Sequence, residues 1–423
     1  MNVAIDLPGW FIYPYLFVFG AIIGSFLNVC IYRIPPHDRL WDQLKSLWER
    51  PSQCPRCGTG IRWFDNVPIF GWLFLRGRCR QCRMAISPRY PFIELLNACL
   101  WMLVFWLEVP IGYGQTLEDS CLSTPLGPEH FPGLGPLSPE WFVILRYVFH
   151  MFLIEALLVA SMIDFDFRII PSSTTDPWMW IAVLISATVA RVHLVPVWFQ
   201  GPRLKQTFSL IMPDWVLPWL DGPAVPEWIN AHPHLHGFLV SFVGLLVGGA
   251  SVWAVRIMGG WVLRQEAMGK GDVYLMAMIG AFLGWQASII AFFIAPLCAL
   301  MVFCVSVIFR PERMIPYGPY LSLGALLTLL GWKHVFARVH QIFELGVLLF
   351  PLAGFMAILF LLSLMTVQVG KWTFGYRLVP EEEQGYWRSA DQTFFFKGET
   401  VHRHTGRWRT DDWDGCAAGQ GLI

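Results

Sequence analysis

Nothing limits the fold of this chain more than its apolar runs, several of which approach or exceed the length that crosses about 30 Å of hydrocarbon. In lipid every backbone amide needs a partner within the protein, so spanning segments are helices or strands of a closed barrel. These runs are continuous rather than alternating, which selects helices. They predict helices near Trp10 to Ile31, Pro91 to Val109, Trp141 to Ile163, Pro177 to Val197 and Gly237 to Val262. Four more are predicted over Val273 to Gly284, Ala287 to Phe309, Tyr320 to Trp332 and Leu345 to Val369, the first and third of these being short. The expected fold class is therefore an all-α polytopic membrane protein of about eight or nine transmembrane helices. Composition agrees: 55% of 423 residues are hydrophobic, 14% are charged, and mean hydropathy is +0.50. With 30 basic and 30 acidic residues, the total suggests neither a nucleic-acid nor an acidic partner. Met1 to Pro8 holds no basic n-region, so the first run is read as a spanning helix rather than a cleaved signal.

Charge distribution sets the expected orientation. The segment Arg33 to Arg89 carries eleven Lys and Arg against four acids, whereas Pro110 to Glu140 carries four acids and no Lys or Arg. The positive-inside rule makes the first cytoplasmic and the second external. Alternation then brings Asp164 and the turn ending at Asp272 to the cytoplasmic face. Tyr113 to Pro139 and Phe199 to His236 read as external loops, the second with a Pro/Trp-rich stretch suited to the interface. The polar tail from Thr373 to Ile423 alternates around Thr393 to Arg409 in a way that suggests a small β-hairpin.

Cys54-Pro-Arg-Cys57 and Cys79-Arg-Gln-Cys82 form two C-x-x-C pairs, each able to offer two thiolates to one tetrahedral ion. A structural zinc staple for a loop without its own core is the favoured reading; disulfides or redox work are the alternatives, and a reducing cytoplasm opposes disulfides. Cys30, Cys99, Cys298 and Cys304 lie within or at the ends of apolar runs and read as packing residues.

Asp164 closes one apolar run, and Asp272 ends a Gly-Lys-Gly-Asp turn opening another. Ionisable groups at membrane depth are functional candidates. Gly269 and Gly271 permit close backbone approach just before an acid at a helix start. Two such carboxylates meeting at one face can share a proton and activate one water, as peptide hydrolysis by paired aspartates requires. Asp166, beside Arg168, reads equally well as a polar helix end, and Glu155 as a partner of His150 or Arg146 on its own helix.

In this order the motifs resemble those of type IV prepilin leader peptidases, membrane aspartyl proteases with a Gly-x-Gly-Asp signature. The resemblance rests on Gly24-Ser25-Phe26-Leu27-Asn28-Val29, Tyr32-Arg33-Ile34-Pro35, both cysteine pairs, Trp63-Phe64-Asp65-Asn66-Val67-Pro68, Leu75-Arg76-Gly77-Arg78 and Ile86-Ser87-Pro88-Arg89-Tyr90-Pro91 with Glu94. It continues through Asp164 to Pro171, Gly269 to Asp272 and Ile315-Pro316-Tyr317-Gly318-Pro319. It implies Asp164 and Asp272 as the catalytic pair and Cys54, Cys57, Cys79 and Cys82 as zinc ligands. It also implies a bacterial inner-membrane location with the site facing the cytoplasm, and prepilin or pseudopilin substrates cut after a glycine closing a short basic leader. Many such enzymes then methylate the new N-terminus with S-adenosylmethionine. Two positions depart from the pattern: Ser172 stands where an acid is usual and Tyr274 where Lys is usual.

The expected organisation is a first helix (1–32), a zinc-ribbon-like loop (33–90), a protease core (91–332), an additional helix (333–370) and a polar tail (371–423). Two other classes compete, a transporter using the acids as an ion relay and a non-catalytic assembly factor docking through the cysteine loop.

Overall fold

The structure, a computed structural model, describes residues 9–373 apart from 38, 49–51, 55, 110–119, 121, 123–138, 191, 200–208, 211–212, 214–227, 229–230, 264–267 and 310–315. The long helices are α1 (Gly9–Arg33), α4 (Arg89–Glu108), α5 (Pro139–Phe167), α7 (Pro233–Leu263), α9 (Trp285–Phe309) and α12 (Leu349–Thr373). Shorter ones are α2 (Leu40–Ser46), α3 (Phe70–Phe74), α6 (Asp176–Val189), α8 (Lys270–Leu283), α10 (Gly318–Leu330) and α11 (Trp332–Phe343). Among the described residues there is no strand, only isolated bridges in the cysteine loop. Most of both predicted external loops, and all of the predicted hairpin around 393–409, fall outside the described residues.

Among the described residues, six helices are long and apolar enough to cross a bilayer, and a seventh counts if α10 and α11, bent by 94° between them, form one span. The two runs predicted to be short are α8 and α10, and α6 is as short, at 14, 13 and 14 residues respectively. Each rises only about 20 Å.

The run predicted from Pro177 to Val197 is helical only to Val189. Ala190 turns left-handed (φ 72°), and Val192, Leu194 and Val195 are buried without being helical. This segment covers the break between α8 and α9 at Gly284 (φ 84°). His193 Nδ1 donates to the Phe282 carbonyl at 3.2 Å, Trp285 Nε1 to Val197 O at 2.7 Å and Gln286 Nε2 to Pro196 O at 2.9 Å. Helix α11 lies between the predicted runs Tyr320 to Trp332 and Leu345 to Val369, in the first part of the segment 333–370.

Helix α8 is the centre of the bundle. Leu275 to Leu283 are all buried, among α5, α6, α7, α9 and α10. Small residues make the closest approach possible: a Cβ on Gly244 of α7 would overlap the Gly280 carbonyl of α8, and one on Gly248 would overlap Met276 O. The α1–α4 pair uses the same device, with Gly24 facing Glu94 Cα. By contrast α12 buries no residue.

Tertiary bonds bring the polar motifs of the sequence to one end of this bundle. Arg89 at the start of α4 pairs with Asp166 at the end of α5, both buried. Asn28 Nδ2, near the end of α1, donates to Tyr90 O at 3.1 Å. Gln43 Oε1 of α2 accepts from Ser173 N–H at 3.3 Å, tying the cysteine loop to the residues after Pro171.

Candidate active site and metal centre

Helix α5 stops at Phe167 because Arg168 adopts a left-handed conformation (φ 55°), its amide returning to Asp164 O at 2.8 Å. The chain then turns through Ile169-Ile170-Pro171, and Ile170 becomes the wedge of the site. A Cβ on Gly271 would stand 2.8 Å from Ile170 Cβ, and one on Gly318 would stand 3.2 Å from Ile170 Cδ1. Three remote segments, the end of α5, the start of α8 and the start of α10, therefore meet around one side chain. Glycine is needed where the wedge touches them.

Both sequence-predicted acids lie here and both are buried, Asp164 at 6% and Asp272 at 8% exposure. They are close enough to interact electrostatically. Each takes a backbone donor: Gly318 N–H to Asp164 Oδ2 at 3.0 Å, and Gly269 N–H to the Asp272 carboxylate. Asp272 sits in the first turn of α8, where the helix dipole favours negative charge. Such donors orient a carboxylate without neutralising it. Two buried, close carboxylates are poorly placed to ionise together, so the arrangement suits one shared proton.

The neighbouring acids have other partners. Asp166 takes Arg89 rather than serving only as an exposed helix end. Glu155 was expected to pair along its own helix. Instead it accepts hydrogen bonds from Trp101 Nε1 (2.6 Å) and Asn97 of α4, and His150 pairs with Glu108 at 2.9 Å. The Gly318 and Gly269 amides were not read from the sequence as functional groups, because any residue but proline carries one. The Ile-Pro-Tyr-Gly-Pro run was the only pointer to the first.

The two cysteine pairs adopt the same local fold. Cys54 N–H bonds Thr59 O (3.0 Å) as Cys79 N–H bonds Met84 O (2.8 Å), and Gly58 N–H bonds Cys54 O as Arg83 N–H bonds Cys79 O. Gly58 and Arg83 share a left-handed φ of 67° and 56°. Amides of Arg56 and Cys57 face the Cys54 sulfur, and those of Gln81 and Cys82 face the Cys79 sulfur. Hydrogen bonds from Thr59 pull the Cys57 thiol down to about 6, while burial pushes Cys54 up to about 12. All four sulfurs lie within 4.8 Å of one another, and Cys54 Sγ is 3.7 Å from Cys82 Sγ. Four thiolates about 2.3 Å from a tetrahedral zinc stand about 3.8 Å apart, so the set fits that ion. Asp65, held below the usual carboxylate range by Arg80, braces the loop nearby at 2.5 Å.

The bacterial Peptidase A24 N-terminal domain matches residues 18–107, and the type IV leader peptidase family matches residues 216–305. A prepilin leader peptidase/N-methyltransferase of Klebsiella pneumoniae is 30% identical over 279 residues, 64% of this chain and 86% of that protein. The chain belongs to the type IV leader peptidase family. The like-named protein of Aeromonas salmonicida (strain A449) is 29% identical over 351 residues, 78% of this chain and 94% of that protein. A type 4 prepilin-like proteins leader peptide-processing enzyme of Escherichia coli O78:H11 is 28% identical over 321 residues, covering 73% and 90%. No solved structure matches. The leader peptidase match contains Asp272, and Asp164 falls between the two matched segments.

Proposed function

We propose that the protein is an aspartic prepilin leader peptidase that also N-methylates the end it creates. Its substrates are prepilins or pseudopilins, cut after the glycine that closes a basic leader. The observation that carries the reading is the meeting of Asp164 and Asp272 around Ile170, each oriented by a backbone amide. Asp164 and Asp272 form the catalytic dyad. The ionised carboxylate takes a proton from water as it attacks the scissile carbonyl, and the protonated one gives its proton to the carbonyl oxygen. Collapse then returns a proton to the leaving amine.

Cys54, Cys57, Cys79 and Cys82 hold one structural zinc. S-adenosylmethionine is the methyl donor for the new terminal amine. Among the described residues no strand leads into a glycine-rich turn and helix, so a nucleotide cradle of that kind is not formed and no step is assigned to it. The basic loop 33–89 and the dyad share one end of the bundle, which supports an inner-membrane protein whose site faces the cytoplasm. The same placement argues against an ion relay, which would need acids spread across the bilayer.

The test is co-expression with a leader-bearing prepilin and mass measurement of its N-terminus. Wild-type protein should shorten the substrate and add one methyl group. Asp164→Asn and Asp272→Asn should each remain inserted and folded yet leave the leader in place. Cleavage retained by either variant would remove that acid from the dyad.

A further inference from the structure

The short helices of the cysteine loop are inside-out. In α2 the buried residues are polar, Gln43 at 4% and Ser46 at 7% exposure, whereas Trp41 in α2 and Trp48, two residues past its end, are 75% and 83% exposed. Gln43 and Ser46 are satisfied, the first by His37 O and Ser173 N–H and the second by Gln43 O and Arg33 O. In α3 only Gly71 is buried, while Phe70, Leu73 and Phe74 are exposed. A water-facing loop places such side chains the other way round, so these faces are built to meet something apolar.

Their height decides what that is. Arg33, the last residue of the spanning helix α1, donates to the carbonyls of Ser46 and Leu47 at 3.3 and 3.1 Å, fixing α2 beside the end of a membrane span. Ile69 N–H, next to Phe70, donates at 2.6 Å to Glu94 Oε2 in the second turn of the spanning helix α4. Both helices are therefore held level with the bilayer surface, where tryptophan is favoured. Charge names the lipid. Residues 52–88 hold six arginines, all exposed, and one acid, Asp65, already bonded to Arg80. Arg76 and Arg78 follow α3 directly.

We propose that α2 and α3 form a membrane-docking surface that seats Trp41, Trp48, Phe70 and Phe74 at headgroup depth, with Arg76 and Arg78 on anionic phospholipid. Docking holds the loop flat against the bilayer beside the dyad. Through the bond from Ser173 N–H to Gln43 Oε1 it bears on the segment that follows Pro171. The surface is separate from the dyad and does not depend on the proteolytic reading.

Hydrogen exchange of the full-length protein tests this in nanodiscs of phosphatidylcholine alone or mixed with phosphatidylglycerol. Amides of 40–48 and 70–76 should exchange more slowly in the anionic discs. Arg76→Gln and Arg78→Gln should each shrink that excess protection by up to about fivefold. A variant carrying Trp41→Ser and Phe74→Ser should lose protection in both lipids while keeping its metal content. Equal exchange in the two lipids for the wild-type protein would overturn the proposal, and this comparison needs no variant to fold. So would protection that appears only on adding a leader-bearing prepilin, or that disappears on deleting 374–423, because the occupant would then be a protein segment.

Discussion

Gly318 has no side chain, yet it decides how Asp164 can sit. Its amide orients the carboxylate, and a Cβ there would stand 2.5 Å from Asp164 Oδ2 and 3.2 Å from Ile170 Cδ1. Gly318→Ala should therefore displace the acid without disturbing the bundle. Leader cleavage is expected to fall by about 10²-fold, the cost of an ångström-scale misplacement, with little change in melting temperature. Initial rates on a leader-bearing substrate, set beside thermal melts in detergent, check this. Asp164 and Asp272 stood out as candidates in the sequence because a carboxylate bordering an apolar run is costly and is seldom idle. Their amide donors were not, since a backbone N–H leaves no mark on residue identity. Nor was the partner of Glu155, because Trp101 belongs to another helix and spacing along one helix says nothing about its neighbours.

At the scale of elements, hydropathy found the long helices and misjudged where burial outlasts helicity. The run that begins at Pro177 stays apolar past Val189 because Val192, Leu194 and Val195 cap buried helix ends, not because they continue a helix. Helix α11 shows the reverse. Trp332, Phe336 and Phe343 give it one buried face, but Lys333 and Arg338 lower its mean hydropathy below that of a span. Glycine contacts separate two kinds of helix. Gly244→Leu must push α7 away from α8 and should destabilise by about 1–3 kcal/mol or more. Gly354→Ala in α12, where nothing lies within 4 Å of the new Cβ, should be neutral or stabilise by up to about 1 kcal/mol. Melting the two variants side by side in one detergent tests the contrast, and equal shifts would deny the tight α7–α8 contact. The gathering of the four cysteines into one cluster was legible from their spacing alone. Cys54→Ser should lose bound zinc by elemental analysis, and unchanged zinc would reject this ligand set.

Across the whole molecule, segments far apart in sequence are assembled at one end, and a buried ion pair joins the start of α4 to the end of α5. Arg89 belongs to the part matched by the N-terminal domain, and Asp166, two residues from Asp164, lies between the two matched segments. Sequence spacing offered no reason to connect them, since they lie 77 positions apart. Burying a charge without its partner costs far more than burying the pair, so Arg89→Met or Asp166→Leu alone should each destabilise by about 3–5 kcal/mol. The double variant removes both charges and should recover most of that loss, giving a large coupling energy in a double-mutant cycle. Leader cleavage should follow the same order, low in each single variant and restored in the double, because the pair holds the end of α5 against α4 and takes no part in moving protons. Additive losses in stability would mean that the two side chains act independently. Recovered stability with cleavage still absent would instead give Asp166 or Arg89 a direct part in the reaction.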